Sequence, residues 1–440
     1  MATLQTPTVF RSTDVGAPRL MGLPGSLLDL LSACLVDGYG STLATGTITN
    51  DGTNVSDGDT VTIGSIVYTF KTSISGQPAY SVLIGGTAGT SMTALADAIN
   101  GVAAVGVTVP AGTFPHPDVT MAFTSGTTWT LTARRGGTAG NVALAETSSH
   151  LTVSGAALTG GGGTNTKAAA GWTKPFTGTS RASFRMGGGN QMYLDVNDNG
   201  PGAGTFKEAR VSGFETMSAV GTGTGQFPTV AQMATNLFVR KSATADATAR
   251  VWTVIADDRT FYLLIQAGDN ASWWYCTVFG DFLSYLAGTD NYRTVLIARI
   301  TENSATAATE RADFIPNATG IATTGHFVAR AYTGLGGSLN IAKLGDYFKA
   351  GGTNTLVGNI PLPSPVDGQA WIAPLLVGES TALIRGKLRG FMHQMHLLAS
   401  WADQDQVTGS GVYAGHTFLM FKTTPNAGVY CIDIQAWDTN

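Results

Sequence analysis

The sequence predicts a mainly β protein: a β-sandwich or barrel-like host domain carrying a small inserted α+β, β-rich module. Three observations lead there. Short runs of β-branched and aromatic residues recur along the chain, broken by Gly, Asp and Asn, the punctuation of antiparallel strands. Helical periodicity is confined to a few short stretches. There are 57 glycines in 440 residues, nearly twice the usual ~7% share, as a fold with many tight turns requires.

In chain order, residues 1–41 read as an N-terminal arm and helix of the host domain. The arm is extended and carries Pro7, Pro18 and Pro24. Leu27, Leu28, Leu31, Cys34 and Leu35 then recur at helical spacing, with Ser26 placed to cap the start and Gly38 to end it. Residues 42–167 have Gly, Thr and Asn-rich edges, as linkers do, and read as the inserted module. Within it, TVTIGSIVYTFK predicts a hairpin turning at Gly64 and Ser65, and YSVLIG a further strand. SMTALADAINGV predicts an amphipathic helix with Met92, Leu95, Ala96 and Ile99 on one face. VTMAFTSGTTWTLTAR predicts a second hairpin near Ser125 and Gly126. Residues 168–440 return to the host domain. MYLDV and FKEARVSGFE read as strands, ARVWTVIADDRTFYLLIQAGD as a hairpin turning at Asp257 and Asp258, and TVAQMATNLFVRKS as another helix. WWYCTVFGDFLSYL, YRTVLIARI, ALIRGKLRGFMHQMHLL, AGHTFLMFKT and GVYCIDIQAW supply the remaining strands.

Composition narrows the function classes. Charged residues make up only 12% of the chain, about half the usual ~25%. A subunit that covers its surface with neighbours needs less charge than a solitary enzyme. The net charge is −4 with no basic stripe, so no nucleic-acid partner is expected. No apolar run approaches the ~18 residues of a membrane span. The first residues lack the pattern of a signal peptide, which implies synthesis in a cytoplasm. Cys34, Cys276 and Cys431 are too widely spaced for a zinc site and read as buried, reduced thiols.

Several stretches invite a chemical reading. LDVNDNGPG places Asp195, Asn197, Asn199 and Gly200 in the order D-x-N-x-N-G, the opening of a calcium loop. The twelfth position, which should hold a bidentate acid, is Phe206, and Glu208 comes two residues late. A long hairpin loop is the preferred reading, and no cofactor or metal is expected. His393 and His396 form an HxxH, but Arg385, Lys387 and Arg389 precede it and would repel a cation. His116 reads as a loop residue between two prolines. GGTAG occurs at 85–89 and 136–140 without the Lys-Ser/Thr of a phosphate loop. The pairs Asp257–Asp258 and Asp403–Asp405 read as turn and polar-loop residues rather than glycosidase acids. Trp273, Trp274 and Tyr275 are consecutive, so on a strand they cannot all face one side. They are candidates for a subunit interface, with a sugar-stacking platform as the rival and a core covered on both faces as the third reading.

The module DGDTVTIGSIVYTFKT…VLIGGTAGTSMTALADAINGV…HPDVTMAFTSGTTWTLTARRGGTAGNVA resembles a domain that recurs in structural proteins of tailed bacteriophages. The host stretches FRSTDVGAP, LLSACLVDGYG, GWTKPFTGTSRASFR, DVNDNGPGAG, TMSAVGTGTGQFPT, ADDRTFYLLI and LRGFMH are similar to one phage virion protein family. These words span most of the chain and carry no residue roles. The resemblance implies a non-enzymatic virion component, assembled in a bacterial cytoplasm as a homo-oligomer with other virion proteins. A place in the tail apparatus (neck, tube end or baseplate) is the leading expectation. A head decoration subunit, or a protein binding a host surface glycan, is the alternative.

Overall fold

A computed structural model describes residues 4–162, 165–199, 207–232, 237–268, 274–286, 290–299, 325–335, 337–342, 372–379, 383–394, 402–422 and 429–438. The fold is mainly β, built from several antiparallel sheets. Two compact units divide the chain. One comprises Met1–Arg11, Leu20–Val36 and Ala169–Asn440, and the other Ser12–Arg19 and Asp37–Ala168. Within the expected arm, Ser12–Arg19 therefore clusters with the smaller unit.

The larger unit is organised by a 13-stranded sheet. Its path runs from Thr8–Arg11 through Val251–Ala256, Thr260–Gln266, Tyr275–Asp281, Thr294–Ile297 and His326–Val328 to Gly337–Ala342. It continues through Ile372–Glu379, Leu383–Gln394, Val429–Asp433 and Thr417–Lys422 to Gln406–Thr408. The sheet is folded over one core. Tyr262, Leu264, Cys276, Val278 and Val295 from its first half share a cluster with Leu375, Val377, Leu388, Phe391, Leu419 and Ile432 from its second. The opposite face of the first half is also covered: Phe279 meets Trp172 at 5.9 Å and stacks on Phe227 at 6.2 Å. Every residue of Tyr275–Asp281 is accordingly buried. Beside this lies a five-stranded sheet in the order Thr173–Gly178, Arg181–Arg185, Tyr193–Asn197, Glu208–Phe214, Leu237–Arg240.

Two local expectations are corrected here. The stretch TVAQMATNLFVRKS does not give a helix where it is described. Leu237–Arg240 is a strand, paired with Glu208–Val211, and all four of its residues are buried. Burial on both faces removes the alternation that would have marked it. The first helix is also not uniform. Ser26–Leu31 is α-helical and Ser32–Asp37 widens into a π-helix. The Cys34 and Leu35 carbonyls accept N–H groups of Ala170, at 3.0 Å, and Trp172, at 2.9 Å. Ser26 is not the cap. Gly25 is, and the Ser26 hydroxyl donates instead to the Met21 carbonyl at 2.7 Å.

The smaller unit has two four-stranded sheets and one helix. One sheet runs Leu151–Val153, Leu43–Asn50, Thr128–Gly136, Val119–Ser125, and the other Ser81–Leu83, Ile66–Lys71, Thr60–Ile63, Leu144–Glu146. The helix is Ala88–Asn100, started by a reciprocal capping box between Thr87 and Thr90. Met92, Leu95, Ala96 and Ile99 lie in the core with Tyr68, Phe70, Trp129 and Leu131. Gly136 permits a close backbone approach, because a Cβ there would stand 1.7 Å from the Gly40 carbonyl oxygen.

Candidate functional site

The calcium-like stretch forms the end of one strand and the start of a hairpin loop. Tyr193–Asn197 pairs antiparallel with Glu208–Phe214, and Gly200 to Phe206 lie outside the described residues. The carboxylate of Asp195 is nearly fully buried and already engaged. It accepts Nε and Nη2 of Arg181 at 3.0 and 2.6 Å, and the Gly221 N–H at 3.0 Å. The Asn197 side chain accepts the Asn199 N–H at 3.2 Å, closing a local Asx turn. Asp195, Asn197 and Asn199 are thus not brought together as a ligand set. Among the described residues, no group of three or more His, Cys, Asp and Glu side chains is placed to hold a metal ion.

Of the aromatic cluster, Trp273 lies outside the described residues, while Trp274 and Tyr275 are both buried. Trp274 belongs to the main core, packs edge-on against Phe421 at 5.4 Å, and donates Nε1–H to the Asp403 carboxylate at 3.0 Å. The idea that one or two of these rings face outward fails for Trp274 and Tyr275. It assumed a sheet covered on one face, and Tyr275–Asp281 is covered on both.

The remaining acids are structural. Asp257 closes its hairpin by accepting the N–H groups of Arg259 and Thr260, each at 2.9 Å, and also accepts Arg389 Nη1 at 2.9 Å. Arg389 in turn donates to the Asp438 carbonyl at 2.6 Å and lies over the Trp437 ring at 5.4 Å. Asp405 accepts the Ala402 N–H at 2.6 Å, the polar-turn role its setting suggests.

The bases on Leu383–Gln394 read in the sequence only as repelling a cation, and sequence reasoning missed their acidic partners. Arg385, Lys387 and Arg389 recur at a two-residue period, and the strand bulges at Arg385, where its register with Ile372–Glu379 shifts. Each meets an acid: Asp290, Asp438 and Asp257 respectively. Arg385 is fully buried, donating Nε–H to Asp290 at 2.9 Å and Nη1–H to the Arg330 carbonyl at 2.7 Å. Burial alone would raise Asp290, but the bonds from Arg385 outweigh it and hold its carboxyl below the usual range. The available signal was three bases at a two-residue period inside an apolar segment, which calls for buried counter-charges.

His393 lies on a strand rather than a helix, and His396 lies outside the described residues. His116 lies in the loop before Val119–Ser125, as read from its two prolines. It is fully buried, its Nε2 within 3.0 Å of the Ile63 carbonyl and its Nδ1 accepting the Asp118 N–H at 3.1 Å. The first GGTAG leads into the capped helix, and the second forms the turn in which Gly136 meets Gly40. All three cysteines are buried free thiols, and burial pushes Cys276 and Cys431 far above the ordinary thiol range. A groove of about 610 Å³ opens between Thr72–Gln77 and Gly106–Ala111, lined by no titratable side chain. No described helix is long and apolar enough to cross a membrane.

Compared with protein-family models and with curated proteins, the chain matches none of either.

Proposed function

We propose that the chain is a structural subunit of a tailed-bacteriophage virion, placed in the tail apparatus and acting through assembly with copies of itself and with other virion proteins. The observation that carries this reading is the set of resembling stretches, which falls in both the 42–167 segment and the flanking sequence. The charge economy of the chain supports it, at 12% charged residues. So does the fate of the candidate catalytic acids. Asp257 is tied to Arg389, and Asp403 to the Trp274 indole, which suits scaffolding better than proton transfer. The glycan-binding alternative loses two of its three stacking candidates to the core.

The test is light scattering on a size-exclusion peak, followed by negative-stain imaging of the same fraction. Rings of defined symmetry are expected, and their order would locate the subunit within the tail. A monomer at high concentration that binds a host surface glycan would replace this reading with the receptor one. A monomer that binds only assembled heads would replace it with decoration.

A further inference from the structure

The ends of two strands and the start of the first helix converge on one buried pair. Asp198 follows the strand Tyr193–Asn197, and Lys241 follows Leu237–Arg240. These strands do not pair with each other, since both flank Glu208–Phe214. Their side chains meet beyond its first residue, where the Lys241 N–H donates to the Lys207 carbonyl at 2.9 Å. Both side chains are 0% exposed. Asp198 Oδ2 accepts the Leu27 N–H at 2.9 Å, which fixes the carboxyl plane against the helix. Lys241 Nζ donates to the Leu23 carbonyl at 2.6 Å, which fixes the amine.

The remaining contact is unusual. Nζ touches Asp198 Oδ1, yet Oδ1 has no hydrogen bond. An ordinary buried ion pair directs an N–H along an oxygen lone pair. Here the amine stands against the carboxyl group outside that geometry. Burial raises the Asp198 carboxyl and lowers the Lys241 amine, each only partly opposed by the other's charge. Both shifts favour passing a proton from nitrogen to oxygen, which leaves a neutral amine beside a carboxylic acid.

We propose that Asp198 and Lys241 become joined by an intramolecular amide bond after folding. The ammonium gives one proton to the carboxylate. The freed Nζ lone pair attacks Cγ, and a second proton moves from nitrogen to the hydroxyl oxygen. The Cγ–O bond then breaks, and one water leaves. The product amide keeps one N–H to donate to the Leu23 carbonyl. No oxidant, reductant or cofactor enters the balance. A dry interior favours the reaction, because it replaces two buried charges by an uncharged amide and expels the water that would reverse it.

The test is the intact mass of the denatured full-length chain, with a tryptic map. The expected mass lies one water below that of the sequence. The map should join fragment 186–207 to fragment 241–250, with cleavage after Lys241 blocked. Asp198→Asn should give the same product by losing ammonia instead, so its mass should equal that of the wild type. Lys241→Met should retain the full sequence mass. Wild-type protein that is folded, has the full sequence mass and yields fragment 186–207 unlinked, with cleavage after Lys241, would overturn the proposal. A one-water deficit mapping to any other peptide would overturn it as well. The wild-type measurement decides even if neither variant folds.

Discussion

A histidine without a hydrogen-bond partner inside an apolar core has a definite pH signature. His326 is fully buried, with neither ring nitrogen bonded. It lies on the same strand as the core residue Val328 and pairs in register with Ile297. Burial pushes its pKa down to about 3. The unfolded chain regains the ordinary value near ~6.5, so below that pH the unfolded state binds a proton that the folded state refuses. Stability is therefore fully present above that value and is lost as pH falls toward the folded one. At pH 5 the loss from this residue is about 2 kcal/mol. His326→Leu should remove it, so urea midpoints of the variant should fall less between pH 7 and pH 5 than those of the wild type. Equal slopes would mean that the ring finds a partner in solution. His116 provides a contrast and a residual slope. Its neutral tautomer is satisfied, with Nε2–H donating to Ile63, and burial lowers it to about 4.

At the scale of the element, the strand Leu383–Gln394 shows how charge is carried through the core. Arg389→Met would strand the Asp257 carboxylate, which is 0% exposed, without its counter-charge. Breaking one side of such a pair costs roughly 3–5 kcal/mol, whereas replacing both partners is far milder. Urea denaturation should show a large loss for Arg389→Met and partial recovery in the double variant with Asp257→Asn. A loss below about 1 kcal/mol would place the pair in the range of surface bridges. At the helix Ala88–Asn100, Thr87→Ala removes the half of the capping box in which the Thr87 hydroxyl accepts the Thr90 N–H. It should cost about 1 kcal/mol by the same measurement. The elements also show what the sequence could express. Hairpins at Gly64, Ser125 and Asp257 were legible because alternation and turn residues are local signals. The strand Leu237–Arg240 was not, since burial on both faces erases alternation. The calcium-like stretch was legible as a hairpin loop, but not the partner of Asp195, because Arg181 lies in a different strand. The tryptophan cluster misled because the second layer, carried by Trp172 and Phe227, comes from distant sequence.

For the whole molecule, the question is whether the smaller unit can be lost without losing the larger. The longer stretch of the smaller unit, Asp37–Ala168, closes on itself near its two ends. Tyr39 and Lys167 exchange both backbone hydrogen bonds, each at 3.1 Å. The cut ends of a deletion from 42 to 167 are thus close, and a short Gly-Ser bridge spans them with little closure entropy. The core of the larger unit draws on residues before 12 and after 168. The shortened protein should remain folded, with a cooperative urea transition and a near-ultraviolet spectrum retaining buried tryptophan. One stretch should change. Ser12–Arg19 clusters with the deleted unit, where Gly16 lies against Gly40 and its carbonyl accepts the Gly136 N–H at 3.0 Å. Deprived of Gly136, it should become the first site of limited proteolysis, at Arg11 or Arg19. An aggregated product, or a chain resistant at both arginines, would show that the two units fold as one.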